Sequence, residues 1–566
     1  MDFKNVLMAI ILSTIVLVVW GTLFEQPIEK NIVAEKNITE QQTAKNNNEV
    51  SSPSVESSKV SDDISRNEAI SKTKRVKIEN NNIEGSISLE GAIIDDIIFK
   101  NYKENLKSDE KVIFLNPKNS KEGYYIETGW APGMGENLKL PIDSTIWTVK
   151  GNSKLTPNTP IFLEWNNNEG LIFTKKIELD DKFLFKITQG IKNTSNKSFV
   201  LHPYAQITRN YKPDVTPIYI LHEGFIGIFD EELREEDYED VEEQKFSTNS
   251  EKGWLGITDK YWITAIIPEK GKKFKSEFLS KKGKYRANYI ITDPVIINPN
   301  TTTTSEIKAF TAAKEVAVID NYAETLGVEK FDLAIDWGWF YFFTKPLFFV
   351  IDYFFKLTGN FGVAIIILTA LIRLIFFPLA NYSFRSMAKM KLLQPEMVRL
   401  KELHKDDKVK LQQEMMALYK REKVNPISGC LPVLIQIPFF FAIYKMLFVT
   451  IEMRHQPFFG WIQDLSARDP TSVFNVFGLI PWDPPTFLMI GAWPILMGLS
   501  MWVQMKLNPT PPDPIQAKIF MFFPLFLTII LAPFPSGLVV YWTVSNVLTI
   551  AQQWVIMRGT KVKTVR

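Results

Sequence analysis

The chain has 566 residues, a formal net charge of +2, four histidines and one cysteine. Its length admits more than one domain, and its balanced charge leaves no whole-chain footprint for nucleic acid. The lone Cys430 excludes an intramolecular disulfide and any cysteine-based metal cluster. His202, His222, His404 and His455 are scattered without ligand spacing, so neither a metal, a cofactor nor a catalytic residue is expected, and the chain reads as a non-enzyme.

Val6 to Phe24 is 19 residues without a charge. A cleaved signal peptide has a shorter apolar core and a small-residue cleavage site. Here Trp20-Gly-Thr-Leu-Phe follows, which favours an uncleaved transmembrane anchor over 1–24. Residues 25–73 are rich in Asn, Lys, Ser, Glu and Gln, too polar to bury a core, and read as a disordered tether. From 74 to 325 the pattern changes to period two, as in Leu171-Ile-Phe-Thr-Lys-Lys-Ile-Glu-Leu and Tyr261-Trp-Ile-Thr-Ala-Ile-Ile. Many short strands with turn signals between them predict an antiparallel β-sandwich. Within it, the acidic stretch Asp230 to Glu243 reads as a solvated loop, and His202 and His222 as structural histidines. Residues 326–356 form a connection, with an amphipathic helix over 331–345 lying in the membrane interface, because Trp and Tyr there are interrupted by charges.

The remainder, 357–557, reads as a five-span core. Leu357 to Phe384 carries one charge, Arg373; Val424 to Tyr444 and Pro484 to Met505 carry none. Ile519 to Met557 is 39 charge-free residues, too long for one span, and Ala532-Pro-Phe-Pro-Ser-Gly breaks it into two. With the anchor this makes six spans. The segment Asn381 to Lys423 holds eleven Lys and Arg, against three in Lys445 to Asp483, and a basic tail fills 558–566. The basic segments then fall on the cytoplasmic side with both termini, and the β domain falls on the opposite side. Between spans, Met387, Met390, Leu393, Met397, Leu400 and Leu403, then Leu411, Met415 and Leu418, recur at helical spacing and predict a cytoplasmic helical hairpin over 382–423.

An arginine near mid-span costs roughly 2.5–3.5 kcal/mol on insertion scales. Snorkelling to one end or pairing with a buried carboxylate would relieve it, but no other predicted span contains Asp or Glu. Thr369 lies four residues earlier on the same face. The last span carries a stripe of Trp542, Ser545, Asn546, Thr549, Gln552 and Gln553, and the span at 424–444 adds Ser428 and Gln436. Such residues often only join neighbouring helices; with Arg373 they can instead line one wet, positively charged cavity.

Several stretches resemble the YidC insertases of the YidC/Oxa/Alb group. They are Thr369-Ala-Leu-Ile-Arg-Leu-Ile-Phe-Phe-Pro-Leu, Ser386-Met-Ala-Lys-Met-Lys-Leu-Leu-Gln-Pro-Glu, Gln413-Glu-Met-Met-Ala-Leu-Tyr-Lys, Lys423-Val-Asn-Pro-Ile-Ser-Gly-Cys-Leu-Pro-Val-Leu-Ile-Gln-Ile-Pro and Phe534-Pro-Ser-Gly-Leu-Val-Val-Tyr-Trp-Thr-Val-Ser-Asn. The resemblance covers about 1–560 and points to the Gram-negative form, whose periplasmic domain is an all-β supersandwich. It implies a multi-pass protein of the bacterial inner membrane that inserts and folds newly made membrane proteins, alone or beside the Sec translocon. Arg373 would lie in a groove open to cytoplasm and lipid. Thr369, Tyr541 and Trp542 match client-contacting positions, and Ile437, Pro438 and Phe440 fall on the helix along which clients slide. Implied partners are nascent membrane proteins, the ribosome, Sec components and lipids, with no sequence-specific nucleic acid. The short tail after Arg558 departs from forms with strong tail-mediated ribosome binding. Two other classes compete: a secondary transporter with Arg373 binding an anionic solute, which would usually show internal repeats that are absent here, and an anchored sugar-binding module, for which no paired-carboxylate motif is present.

Overall fold

Period-two burial organises the first half of the chain. In the computed structural model, which describes residues 64–215, 221–405, 407–425, 431–482, 484–485, 488–508 and 514–559, the strand Leu171–Leu179 alternates buried and half-buried positions along its whole length. Among the described residues, twenty strands form an eleven-stranded and a nine-stranded sheet, antiparallel except where Arg75–Glu79 meets Lys154–Leu155. Such alternation gives each sheet one apolar face, and the two faces close on each other. Phe99, Phe173, Phe183, Phe225 and Phe278 fill the space between, all essentially inaccessible, while Trp254 is buried on the other face of the nine-stranded sheet against Phe331. The β-sandwich expectation matches this architecture.

Order begins earlier than the tether's limit at 73. Arg66–Lys72 is a short helix (α1) capped by Ser65, and Arg66 pairs with Asp96 on the sandwich. The acidic stretch is not a loop: Glu232–Glu236 is a strand and Tyr238–Glu243 a helix (α2), whose Tyr238 and Val241 are buried while most of the carboxylates face outward. His202 is buried with Nδ1 2.9 Å from the Ile291 carbonyl, and His222 Nε2 lies 2.8 Å from that of Phe225. Both serve the sandwich.

A helix, Val316–Leu326 (α3), leaves the last strand. The predicted interfacial helix at 331–345 is displaced. Phe331–Ala334 is a single 3₁₀ turn, and the helix proper is Tyr341–Thr358 (α4). The reason lies between them: Gly338 adopts φ +71°, and Asp336 Oδ1 accepts the Gly338 amide at 3.1 Å, so the chain turns there.

The C-terminal region is helical: Phe361–Ile375 (α5), Phe377–Leu403 (α6), Lys408–Arg421 (α7), Leu431–Val449 (α8), Ala492–Leu507 (α9), Pro514–Leu531 (α10) and Ser536–Gly559 (α11). The window at 357–384 is not one helix. Gly359 (φ +70°) ends α4, and a 67° bend at Phe376 separates α5 from α6. Pro378 explains the bend, since it lacks an amide and disfavours helical conformation in the residue before it. Among the described residues no single helix is both long and apolar enough to cross a membrane, whereas the bent pair passes that test together. The α-helix described in the window at 484–505 begins at Ala492, and the 39-residue window breaks at 532–535, where the Pro-rich turn was expected. The anchor at 1–24, Ser428 and Cys430 lie outside the described residues.

The outward surface of α10 is apolar. On α10, Ile519, Phe522, Leu525, Phe526 and Ile529 are each more than half exposed. A helix apolar all round with such exposure is suited to lipid rather than water.

Candidate functional site: a polar recess at the α5–α6 bend

Arg373 sits in the last turn of α5, where a cation complements the helix C-terminus. Its Nη2 donates to Ser545 Oγ on α11 at 2.5 Å, a charge-assisted hydrogen bond. Gln436 Nε2 on α8 donates to the same oxygen at 3.4 Å. Ser545 thus joins three helices through one hydroxyl. At the C-terminal end of α5, where helix carbonyls begin to run out of intrahelical donors, Gln552 Nε2, two turns after Ser545, reaches the Arg373 carbonyl at 3.3 Å.

These groups edge a small open recess lined by Ile372, Arg373, Phe376, Leu379, Ala380, Gln436 and Gln552. Among the described residues no carboxylate forms an ion pair with Arg373; its polar neighbours are neutral. The recess therefore presents a net positive charge inside an apolar helical assembly, with one wall of aliphatic and aromatic carbon. An anionic or strongly dipolar segment would be favoured there, and a purely apolar one would gain little from the arginine.

Not every residue singled out from the sequence converges here. Thr369 is buried, and its hydroxyl bonds back to the Ile365 carbonyl at 2.6 Å, within its own helix. Asn546 faces a different side of α11, donating to Ser500 Oγ on α9 at 3.0 Å, and Gln553 likewise reaches Asn508. One turn before Ser545, Tyr541 and Trp542 pack with Phe440 of α8, at centroid distances of 6.4 and 4.7 Å, forming an aromatic wall next to the polar groups. Ile437 is 41% exposed on the outer side of α8, and Pro438 lies within that helix. The capping role of Gln552 and the lining by Phe376, Leu379 and Ala380 were not anticipated. Pro378 carried the signal for them, since it places a break at Phe376.

Polar contacts also tie this region to the β domain. Lys445 Nζ at the end of α8 pairs with Asp336 at 2.6 Å, and Glu452 Oε1 accepts the Val316 amide at the start of α3 at 2.8 Å.

Two family models match the chain. One, described as 60Kd inner membrane protein, covers residues 353–564, and the other, described as YidC periplasmic domain, covers residues 75–350. A relative from Pelagibacter ubique named membrane protein insertase YidC is 57% identical over 564 residues, spanning 100% of both chains. A relative of the same name from Bradyrhizobium diazoefficiens is 44% identical over 599 residues, covering 99% of this chain and 97% of its own. Among solved structures, an active YidC insertase with its first transmembrane domain resolved aligns at 17% identity and a TM-score of 0.34, over 84% of this chain and 92% of that one.

Proposed function

The chain belongs to the YidC family of inner-membrane protein insertases, and from that premise we propose that the recess at Arg373 is where it receives the polar part of a client. The observation that carries the reading is the guanidinium itself, held by a serine hydroxyl and faced by no carboxylate among the described residues. A client's acidic or polar tail enters the recess and exchanges bulk water for fixed dipoles and one positive charge. The attached hydrophobic segment then moves past the aromatic wall of Phe440, Tyr541 and Trp542 into lipid. No bond is made or broken. The recess acts by reducing the cost of dehydrating the tail.

The finer disposition belongs to the same proposal. The chain crosses the inner membrane six times, with both termini and the α6–α7 hairpin in the cytoplasm and the β domain in the periplasm. The eleven basic residues of 381–423 support that orientation. Nascent membrane proteins are the clients; the ribosome and the Sec translocon are the partners on the two routes of delivery. The transporter reading has no support from full-length relatives named as insertases.

A photo-crosslinking side chain at Ala380, inside the recess, tests the proposal against one at Leu525, on the outer face of α10. With ribosome-bound nascent membrane protein, Ala380 is expected to capture the tail destined for translocation and Leu525 only the hydrophobic segment or nothing. Capture of the tail from Leu525 and not from Ala380 would remove the recess from the path.

A further inference from the structure

Between α8 and α9 the chain forms a loop whose polarity is inverted. No charged residue occurs between Asp469 and Asp483. Val473, Phe474, Val476, Phe477, Leu479, Ile480 and Trp482 all expose 41% or more of their surface, and Leu479 reaches 82%. The backbone is turned inward and bonded to itself: Phe477 N to Ser472 O at 2.8 Å, Ile480 N to Asn475 O at 3.0 Å, and Val473 N to Ile490 O at 3.0 Å. Asn475 Nδ2 closes the loop on the Trp482 carbonyl. A surface loop in water normally does the reverse, leaving its backbone to solvent and hiding its apolar side chains. Satisfied backbone with apolar side chains outward is what a low-dielectric medium demands.

This conformation is held against local preference. Val476 (φ +52°) and Phe477 (φ +57°) are consecutive left-handed residues, neither of them glycine and the first β-branched. The base is rigid. The buried Asp469 carboxylate accepts the Thr471 amide at 3.0 Å, the Trp493 amide of α9 at 2.9 Å and Trp461 Nε1 at 3.1 Å. Gly491 lets it approach, because a Cβ there would lie 2.4 Å from Asp469 Cγ. The preceding segment also receives the amides of Ser536 and Gly537 at the start of α11, through the Ala467 and Leu465 carbonyls. The loop is therefore fixed at the level where α9 and α11 begin. Its apolar surface continues along α9 through Leu496, Leu499 and Trp502, each 43% or more exposed.

We infer that the Val473–Trp482 loop is a membrane-interface anchor that inserts Phe477 and Leu479 into the lipid leaflet on the β-domain side. Its partner is lipid because the surface is charge-free, flanked by Trp461 and Trp482 as interfacial residues are, and continuous with the lipid-suited face of α9. The anchor fixes the height of the α9 and α11 ends relative to that leaflet. The inference rests on the proposed membrane disposition of the helices.

The test uses the full chain in vesicles, with Cys430→Ser as background. An environment-sensitive fluorophore is attached at Phe477→Cys, Leu479→Cys, Ile529→Cys on α10 or Lys150→Cys on the sandwich. The two loop labels are expected to lose about half of their emission to lipids spin-labelled near the headgroup, as for side chains seated ~5–10 Å into the interface, and to resist aqueous iodide. Lys150→Cys should respond only to iodide, and Ile529→Cys only to lipid quenchers. Loop labels that behave like Lys150→Cys while Ile529→Cys is lipid-quenched would overturn the anchor and leave the spans standing. Loop labels insensitive to both quenchers would overturn it in favour of a protein cover. Loss of lipid quenching at Ile529→Cys as well would overturn both.

Discussion

Glu452 offers a pH-dependent test of how the β domain is joined to the helical region. Its Oε1 accepts the Val316 amide, a first-turn donor of α3, while its Oε2 is buried with no hydrogen-bond partner among the described residues. Burial pushes the carboxyl up to about 7, against an ordinary 4.5, with Glu315 and Asp352 adding to the effect. The folded junction thus favours the protonated form. The stabilisation it contributes is fully present below pH 4.5, declines as pH rises from 4.5 to 7, and is gone above 7. The shift of about 2.5 pH units corresponds to roughly 3 kcal/mol. Hydrogen exchange of the α3 amides, corrected for intrinsic rates, reads the local opening free energy. Comparing wild type with Glu452→Gln cancels the other titrating groups. The opening free energy of wild type should fall relative to that of Glu452→Gln by up to roughly 3 kcal/mol between pH 4.5 and 7.5. A wild-type-minus-variant difference that stays flat across that range would refute the reasoning.

Two further predictions concern packing. A Cβ on Gly498 of α9 would lie 2.0 Å from Thr528 Oγ1 on α10. Gly498→Ala should therefore destabilise the helix pair by about 1–3 kcal/mol, with Thr528→Ala restoring most of the loss in detergent-solubilised protein; no rescue would place the strain elsewhere. Lys445 and Asp336 form a largely buried pair, so Lys445→Met or Asp336→Asn alone should cost about 2–4 kcal/mol and the double variant less than the sum. Additive losses in a thermal-unfolding cycle would show that the pair contributes no coupling.

How much was legible in the sequence depends on the kind of signal. Alternation in 74–325 reports burial on one face of a sheet, so the sandwich could be read directly. Charge-free windows report what lipid tolerates, not where a helix starts. That is why the α-helix described in 484–505 starts only at Ala492 and runs past the window to Leu507, and why 357–384 conceals a bend. Arg373, Gln436 and Ser545 were identifiable because polar groups are rare in apolar runs. Helical spacing alone could not separate Ser545 from Asn546: adjacent positions differ by about 100° around the helix, enough to send one toward Arg373 and the other toward Ser500. Thr369 shares a face with Arg373, yet its hydroxyl satisfies its own backbone, a choice that depends on rotamer and leaves no trace in spacing. The inverted loop was hidden for a different reason. The segment Lys445 to Asp483 was read as a loop between spans and weighed only for its three basic residues, and left-handed Val476 and Phe477 carry no glycine to announce them.

The central claim is that the Arg373 charge recruits clients by the polarity of their tails. Arg373→Lys keeps the charge, Arg373→Ala removes it, and Ser545→Ala leaves the charge while removing the hydroxyl that positions it. The most direct measurement is insertion into proteoliposomes of matched clients differing only in tail charge, with each variant's folding checked by thermal stability. The account predicts that Arg373→Ala loses insertion most for acidic tails and least for neutral ones, and that Arg373→Lys retains much of it. Equal insertion by wild type and Arg373→Ala across the whole series would contradict it.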